Sequence, residues 1–310
     1  MHIAQIGVGR VGRPTAYSIM CCGLADEITV CDVKPGLAEA FAEELKHASV
    51  SLGLDVGINA CERDEEVSGA DIILISAGKP RTPGVNMSRR DLAVQNAEIV
   101  KFIAETTSSR NKGAKYIVIT NPVDAMAMVC KRHSKADFVI STGTNLESLR
   151  FRSKLAEVFA VPRSNVQGWV GGEHGEEAAL LWSTVKINGL PFEGYTKISD
   201  KVADKEKVAS YVKTISKTIV DNIGGTEYGP AASFRDIVRA IVNNICEFLS
   251  VAAPMKIEGI PEPVFVSVPR RLGKEIGFSI YNELPESEKQ EIIKAANTIY
   301  QTFLTVTGGL

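Results

Sequence analysis

The stretch HIAQIGVGRVGRPTAYSIM, residues 2–20, constrains the fold of this chain more than any other. A short apolar run ends in Gly7, Gly9 and Gly12, and a helical pattern begins at once. After a strand and before a helix, G-x-G-x-x-G is the spacing of a dinucleotide-binding βαβ unit. Gly7 makes the tight turn, Gly9 admits a pyrophosphate, and Gly12 lets helix and strand pack closely. The helix N-terminus offers free amides and partial positive charge to the phosphates. The second apolar run, EITVCDV, carries Asp32, about 20 residues beyond the motif. A carboxylate there accepts hydrogen bonds from a ribose diol and repels a 2′-phosphate, which favours NAD over NADP. Lys34 nearby moderates that preference. The competing reading is a glycine turn that only packs a helix, with Asp32 solvated.

The rest of the first half alternates in the same way. DIILISAG, KYIVITN and DFVISTG read as strands, and GLAEAFAEELKHAS and SRRDLAVQNAEIVKFIAETTSS as amphipathic helices. Apolar strands separated by helices predict a parallel sheet covered on both faces. The second half changes character. EEAALLWSTVKING and KVADKEKVASYVKTISKTIVDNIGG mix strand-like and helical spacing. ASFRDIVRAIVNNICEFLS reads as one helix, VFVSVPRRLG as one strand, and PESEKQEIIKAANTIYQTFLTV as a final helix. The expected fold class is α/β: a Rossmann-type doubly wound parallel sheet in residues 1–143, then a mixed α+β substrate domain in residues 144–310.

Composition excludes some partners. The formal net charge is −2 over 310 residues, without the basic excess of a nucleic-acid binder. No apolar run approaches the roughly 20 residues of a membrane span. The opening residues lack the pattern of a secretory signal, and the six cysteines show neither metal-ligand nor disulfide-framework spacing. The expectation is a cytoplasmic chain with reduced thiols and no metal.

Three clusters carry chemistry. RTPGVNMSRR, after the DIILISAG strand, puts Arg81, Arg89 and Arg90 on a loop broken by Pro83 and Gly84. It is either a solvated face or an anion site. VGGEHGEE sets His174 between glycines and near Glu173, Glu176 and Glu177; a neighbouring carboxylate favours the imidazolium. In GTNLESLRFR, Glu147 and Arg150 stand three apart, so a helix starting there puts them on one face. One could hold a histidine and the other a carboxylate, or they form an ordinary ion pair. ITNPVD ends a strand with Asn121 and Pro122, a fixed turn that could present the Asn side chain.

Taken in order, GVGRVG, CDV, ELKHAS, SAGKPRTPG, SRRDL, NPVD, GTNLESLRFR, GGEHG and VFVSVPRRLG resemble the lactate/malate dehydrogenase family over almost the whole chain. The set looks most like archaeal and bacterial malate dehydrogenases of the lactate-dehydrogenase type. The resemblance implies NAD as cofactor, a small dicarboxylate as substrate, and a homodimer or homotetramer. It implies that His174 transfers the proton, supported by Glu147. It implies that Arg150 binds the substrate C1 carboxylate, Arg89 polarises the carbonyl, and Arg81 sets specificity. Asn121 and, by a looser alignment, Thr226 line the pocket. Arg10, Val11, Gly78 and Asn96 join Gly7, Gly9, Gly12, Asp32 and Asn121 along the cofactor. Arg90 falls in a variable, solvated position.

Three departures stand out. Glu147 replaces the usual Asp, so an extra methylene must be absorbed. The loop between Arg81 and Arg89 is about two residues longer, near Val85 and Asn86. Glu177 stands where Ser or Thr is common. Lactate dehydrogenase, or another 2-hydroxy-acid dehydrogenase, is the competing enzyme reading. Arg81 argues against pyruvate, because a buried cation beside a methyl group is costly. A non-catalytic dinucleotide sensor is the competing reading of another class, and would not need His174, Glu147, Arg89 and Arg150 together.

Overall fold

The structure is a computed structural model that describes residues 1–79 and 89–308. Arg81, Val85 and Asn86 lie outside the described residues, as does the side chain of Arg89.

The N-terminal half runs β1 (His2–Ile6), α1 (Gly12–Cys21), β2 (Glu27–Cys31), α2 (Leu37–Leu52), β3 (Gly57–Cys61), β4 (Ile72–Ile75), α3 (Arg89–Ser108), β5 (Lys115–Val118), α4 (Val123–Ser134) and β6 (Val139–Ser141). Its strands are all parallel, in the order β3-β2-β1-β4-β5-β6. The order reverses beside β1, where the glycine turn leaves the sheet, and such a switch point is where open α/β sheets bind ligands. Parallel strands are covered on both faces, so β4 is buried at every residue. α3 and α4 contribute to the core on one face, α1 and α2 to the core on the other.

The C-terminal half adds α5 (Asn145–Phe159), β7 (Val166–Gly172), β8 (Ala178–Ile187), β9 (Leu190–Pro191), α6 (Phe192–Thr196), α7 (Lys205–Ile223), α8 (Tyr228–Val242), β10 (Glu247–Leu249), β11 (Ala252–Met255), β12 (Val264–Ser267), β13 (Arg270–Leu272), β14 (Ile276–Ser279) and α9 (Glu286–Thr307). β11 pairs antiparallel with β6 and carries the sheet onward through β12, β7, β8 and β9. α8 returns to the N-terminal half and packs on α1. A third core gathers α5, β7, β8, α6 and α7 around Phe151, Phe159 and Phe192. No described helix is long and apolar enough to cross a membrane.

Two sequence expectations are corrected. ASFRDIVRAIVNNICEFLS is not one helix. α8 stops at Val242, and Asn244 and Cys246 turn the chain at φ 49° and 55° so that Glu247–Leu249 can pair with β13. VFVSVPRRLG is not one strand. Pro269 has no amide to donate to a ladder, and there the chain leaves the large sheet as β12 and enters a three-stranded sheet as β13.

The three glycines of the first turn do different things. Gly7 has φ +88°, and a Cβ there would lie 2.4 Å from the Ala77 amide nitrogen. A Cβ on Gly12 would lie 1.9 Å from the Gly7 carbonyl oxygen. Gly9 faces open space, with no atom within 4 Å of a built Cβ. Gly12→Ala therefore overpacks a backbone contact, a cost of about 3 kcal/mol, and thermal unfolding should show a clear fall in Tm. Gly9→Ala should melt like the wild type and lose affinity for NAD.

Candidate active site

An open cleft of about 710 Å³ lies where strand ends β5 and β6 meet the C-terminal half. Val11, Asn121, Glu147, Arg150, His174 and Thr226 line it, so the structure brings together residues far apart in the chain. Each arrives on a different device. Val11 ends the glycine turn. Asn121 follows β5 at a cis Asn121–Pro122 bond. Glu147 and Arg150 come from the first turns of α5, three residues apart and on one face as the spacing predicts. His174 sits in the β7–β8 turn, and Thr226 just before α8.

Glu147 is the centre of this arrangement. It is buried, with 7% of its side chain exposed. Its Oε2 lies 3.0 Å from His174 Nδ1, and its Oε1 accepts from Arg150 Nη1 at 3.1 Å. A buried carboxylate is tolerated when paired and hydrogen-bonded. Burial pushes the Glu147 carboxyl up, but the charges of His174 and Arg150 outweigh it and hold the group below the usual range. In return, the Glu147 charge raises His174 to about 9, against its burial and the repulsion of Arg150. The imidazolium is thus the resting form at neutral pH, with Nε2 left for a ligand. Glu173, Glu176 and Glu177 are not the histidine's bonding partner, although they are nearer in sequence. Glu177 pairs instead with Lys294 on α9 at 3.0 Å, which accounts for an acid where Ser or Thr is usual.

Sequence reasoning missed Asp124, although NPVD contains it. Its Oδ2 accepts from the His174 backbone amide at 3.0 Å, and its Oδ1 accepts from Ser141 Oγ at 2.6 Å. Its position three residues after Asn121 was the available signal. Glu227 was also missed. Arg10 donates to Glu227 Oε1 at 2.7 Å and to the Ile223 carbonyl at 3.4 Å, so its guanidinium crosses from the glycine turn to the segment before α8. No local pattern announces that pair.

The residues fit a dinucleotide. The space over Gly9 is open, and α1 begins with neither a capping side chain nor an acid in its first turn. Its first amides are therefore available to phosphate oxygens. Asp32 accepts from Val8 N and Lys34 N, both at 2.9 Å, which fixes the carboxylate beside the glycine turn with lone pairs left for a diol. Gly78 packs against Thr120 and Asn96. Asn96 spans two strand-end loops, accepting from Lys79 N and donating to the Asn121 carbonyl, both at 2.8 Å. Arg90 is exposed.

Residues 1–138 match the family model for the NAD binding domain of lactate/malate dehydrogenase, and residues 144–306 match that for its alpha/beta C-terminal domain. The chain is 42% identical to the malate dehydrogenase of Sulfurisphaera tokodaii over 301 residues, 97% of this chain and 94% of the relative. It is 33% identical to an L-lactate dehydrogenase of a Thermoanaerobacter species, covering 93% of each. Among solved structures, the minor L-lactate dehydrogenase of Enterococcus mundtii superposes with a TM-score of 0.91 at 28% identity, covering 98% of each chain. Fold and site define an NAD-dependent dehydrogenase acting on a small molecule. The chain belongs to the lactate/malate dehydrogenase family.

Glu147→Gln keeps the shape and removes the charge. Turnover should fall by about two to four orders of magnitude, and an NMR titration should move the His174 ring down from about 9. Glu147→Asp should be far milder in both measurements.

Proposed function

We propose that the chain is a malate dehydrogenase, interconverting malate and oxaloacetate with NAD. The observation that carries this reading is the single buried carboxylate of Glu147 that organises both a proton donor and an arginine at the cleft. Arg81, together with 42% identity to a malate dehydrogenase, supports the dicarboxylate over pyruvate.

Bound NAD supplies or accepts the hydride, and the residues around the glycine turn and Asp32 hold it. Arg150 pairs with the C1 carboxylate through the guanidinium nitrogens that Glu147 leaves free. Arg81 takes the second carboxylate, and Arg89 stabilises the charge that develops on the carbonyl oxygen. In reduction, His174 Nε2 delivers its proton to that oxygen. In oxidation, neutral His174 takes the hydroxyl proton of malate, and Glu147 stabilises the imidazolium that results. Asn121 and Thr226 close the pocket.

The dinucleotide half ends at residue 143 and the substrate half begins at 144. The protein works as a homodimer or homotetramer; exposed Val50, Ile223 and Tyr228 support an assembly that covers apolar surface. The cytoplasm as its compartment is supported by cysteines without disulfide or metal spacing.

A parallel assay of NADH oxidation with oxaloacetate and with pyruvate tests this function; faster reduction of pyruvate would overturn it. Arg81→Gln should lose about 30-fold or more in kcat/KM for oxaloacetate and gain a smaller amount on pyruvate. Arg90→Gln should change little. The opposite pattern would move the specificity role to Arg90.

The direction of the reaction sets its pH dependence. Reduction needs charged His174, so kcat/KM for oxaloacetate should fall as pH rises through about 9. Oxidation needs neutral His174, so kcat/KM for malate should rise through the same value. Measuring both directions between pH 7 and about 10 checks the assignment.

A further inference from the structure

Asp124 has no part in the chemistry described so far. It stands in the first turn of α4 and is 3% exposed. Its two oxygens are divided between two elements. Oδ1 accepts from Ser141 Oγ at the end of β6, and that hydroxyl in turn accepts from Gly143 N at 3.1 Å. Oδ2 accepts from the backbone amide of His174. Both donors are neutral, and among the described residues no salt bridge to Asp124 forms. Such a buried carboxylate is costly.

The charges around it and along the adjoining cleft come from three elements. α5 contributes Glu147 and Arg150, the β7–β8 turn contributes Glu173, His174 and Glu176, and α7 contributes Lys213 and Lys217 across the cleft. Burial pushes Asp124 up to about 6, the bonds from Ser141 and His174 pull it down, and the charge of Glu173 adds to the rise. Charged His174 is the cation that favours its ionised form, and Asp124 in turn raises His174. Thus Glu147 holds the imidazole by its ring while Asp124 holds it by its backbone.

We propose that Asp124 is a positioning residue for proton transfer: its carboxylate fixes the His174 backbone at the end of β6, and loss of its charge loosens the histidine on the acid side. A proton on the carboxyl removes its charge, so the bond from the His174 amide loses its charge assistance and weakens. The loosened turn is flanked by Gly172 and Gly175. Neutral Asp124 also stops raising His174, which makes the donor state less favoured. Asp124 must be ionised, and its folded value is about 6, so turnover declines as pH falls through 6. Glu147 is held below its ordinary range and cannot produce that limb.

The kinetic part rests on the proposed reaction; an NMR titration of the ring in the cofactor-free protein does not, so the two readings can fail separately. Signals of His174 are those lost in His174→Gln. In the wild type, the His174 ring should show a second, smaller inflection near pH 6. In Asp124→Asn that inflection should vanish and the main titration should move below about 9. The same variant should lose about 10- to 100-fold in kcat for oxaloacetate, with KM nearly unchanged and no acid limb near 6. Ser141→Ala keeps the carboxylate but removes a bond that lowers its titration, so the limb and the inflection should both move above 6. It serves if Asp124→Asn does not fold. A wild-type ring with no inflection near 6, or a limb that stays in place in Ser141→Ala, would overturn the proposal and leave Asp124 a packing residue.

Discussion

One negative charge, buried at the first turn of α5, holds the site together. Glu147 has two oxygens and two cationic partners, and the proposed reaction uses both partners on the substrate. Left alone it would be expensive to bury; with His174 and Arg150 it is held ionised. Because each bond uses a different oxygen, neither partner can shift without disturbing the other. The aspartate that the family resemblance leads one to expect is one methylene shorter, and the length of Glu147 is accommodated with ordinary hydrogen-bond distances on both sides. The substitution is a change of reach with the charge conserved.

In the proposed reaction the two halves of the molecule recognise their ligands by different means. At the dinucleotide side, recognition is mostly backbone: an open glycine, uncapped amides at the start of α1, and Asp32 pinned by two amides. At the substrate side it is all side chains, each brought by a separate element. This division follows from the chemistry. A pyrophosphate is satisfied by a row of N–H groups, whereas a ketoacid needs a proton donor and cations at fixed points.

Much of this was legible in the sequence. The N-terminal alternation of strands and helices, the glycine spacing, and the i, i+3 relation of Glu147 and Arg150 are local patterns, and local patterns survive reading in one dimension. α4 did not announce itself, because Val123–Cys130 is buried all round and shows no amphipathic period. β3, GINAC, was missed for the opposite reason, being a short edge strand with three partly polar, exposed positions. The break between β12 and β13 was marked by Pro269, and the continuous apolar run around it hid the change of sheet. Asp124 and Glu227 are partners across long sequence separations. Their importance comes from what folding puts next to them.

The sheet that runs from β3 to β9 without interruption has a mechanical consequence. The bridge at Ser141–Ala252 welds the two halves, and beside it Thr144 N bonds to Ser267 Oγ. A clamshell opening through that line would tear ladder bonds and bare a packed backbone, since a Cβ on Gly143 would already lie 2.6 Å from the Ala252 amide nitrogen. The cleft therefore has a stiff floor. Any widening of the cleft must come from the elements along its rim, while the strands beneath His174 and the glycine turn stay joined in one ladder.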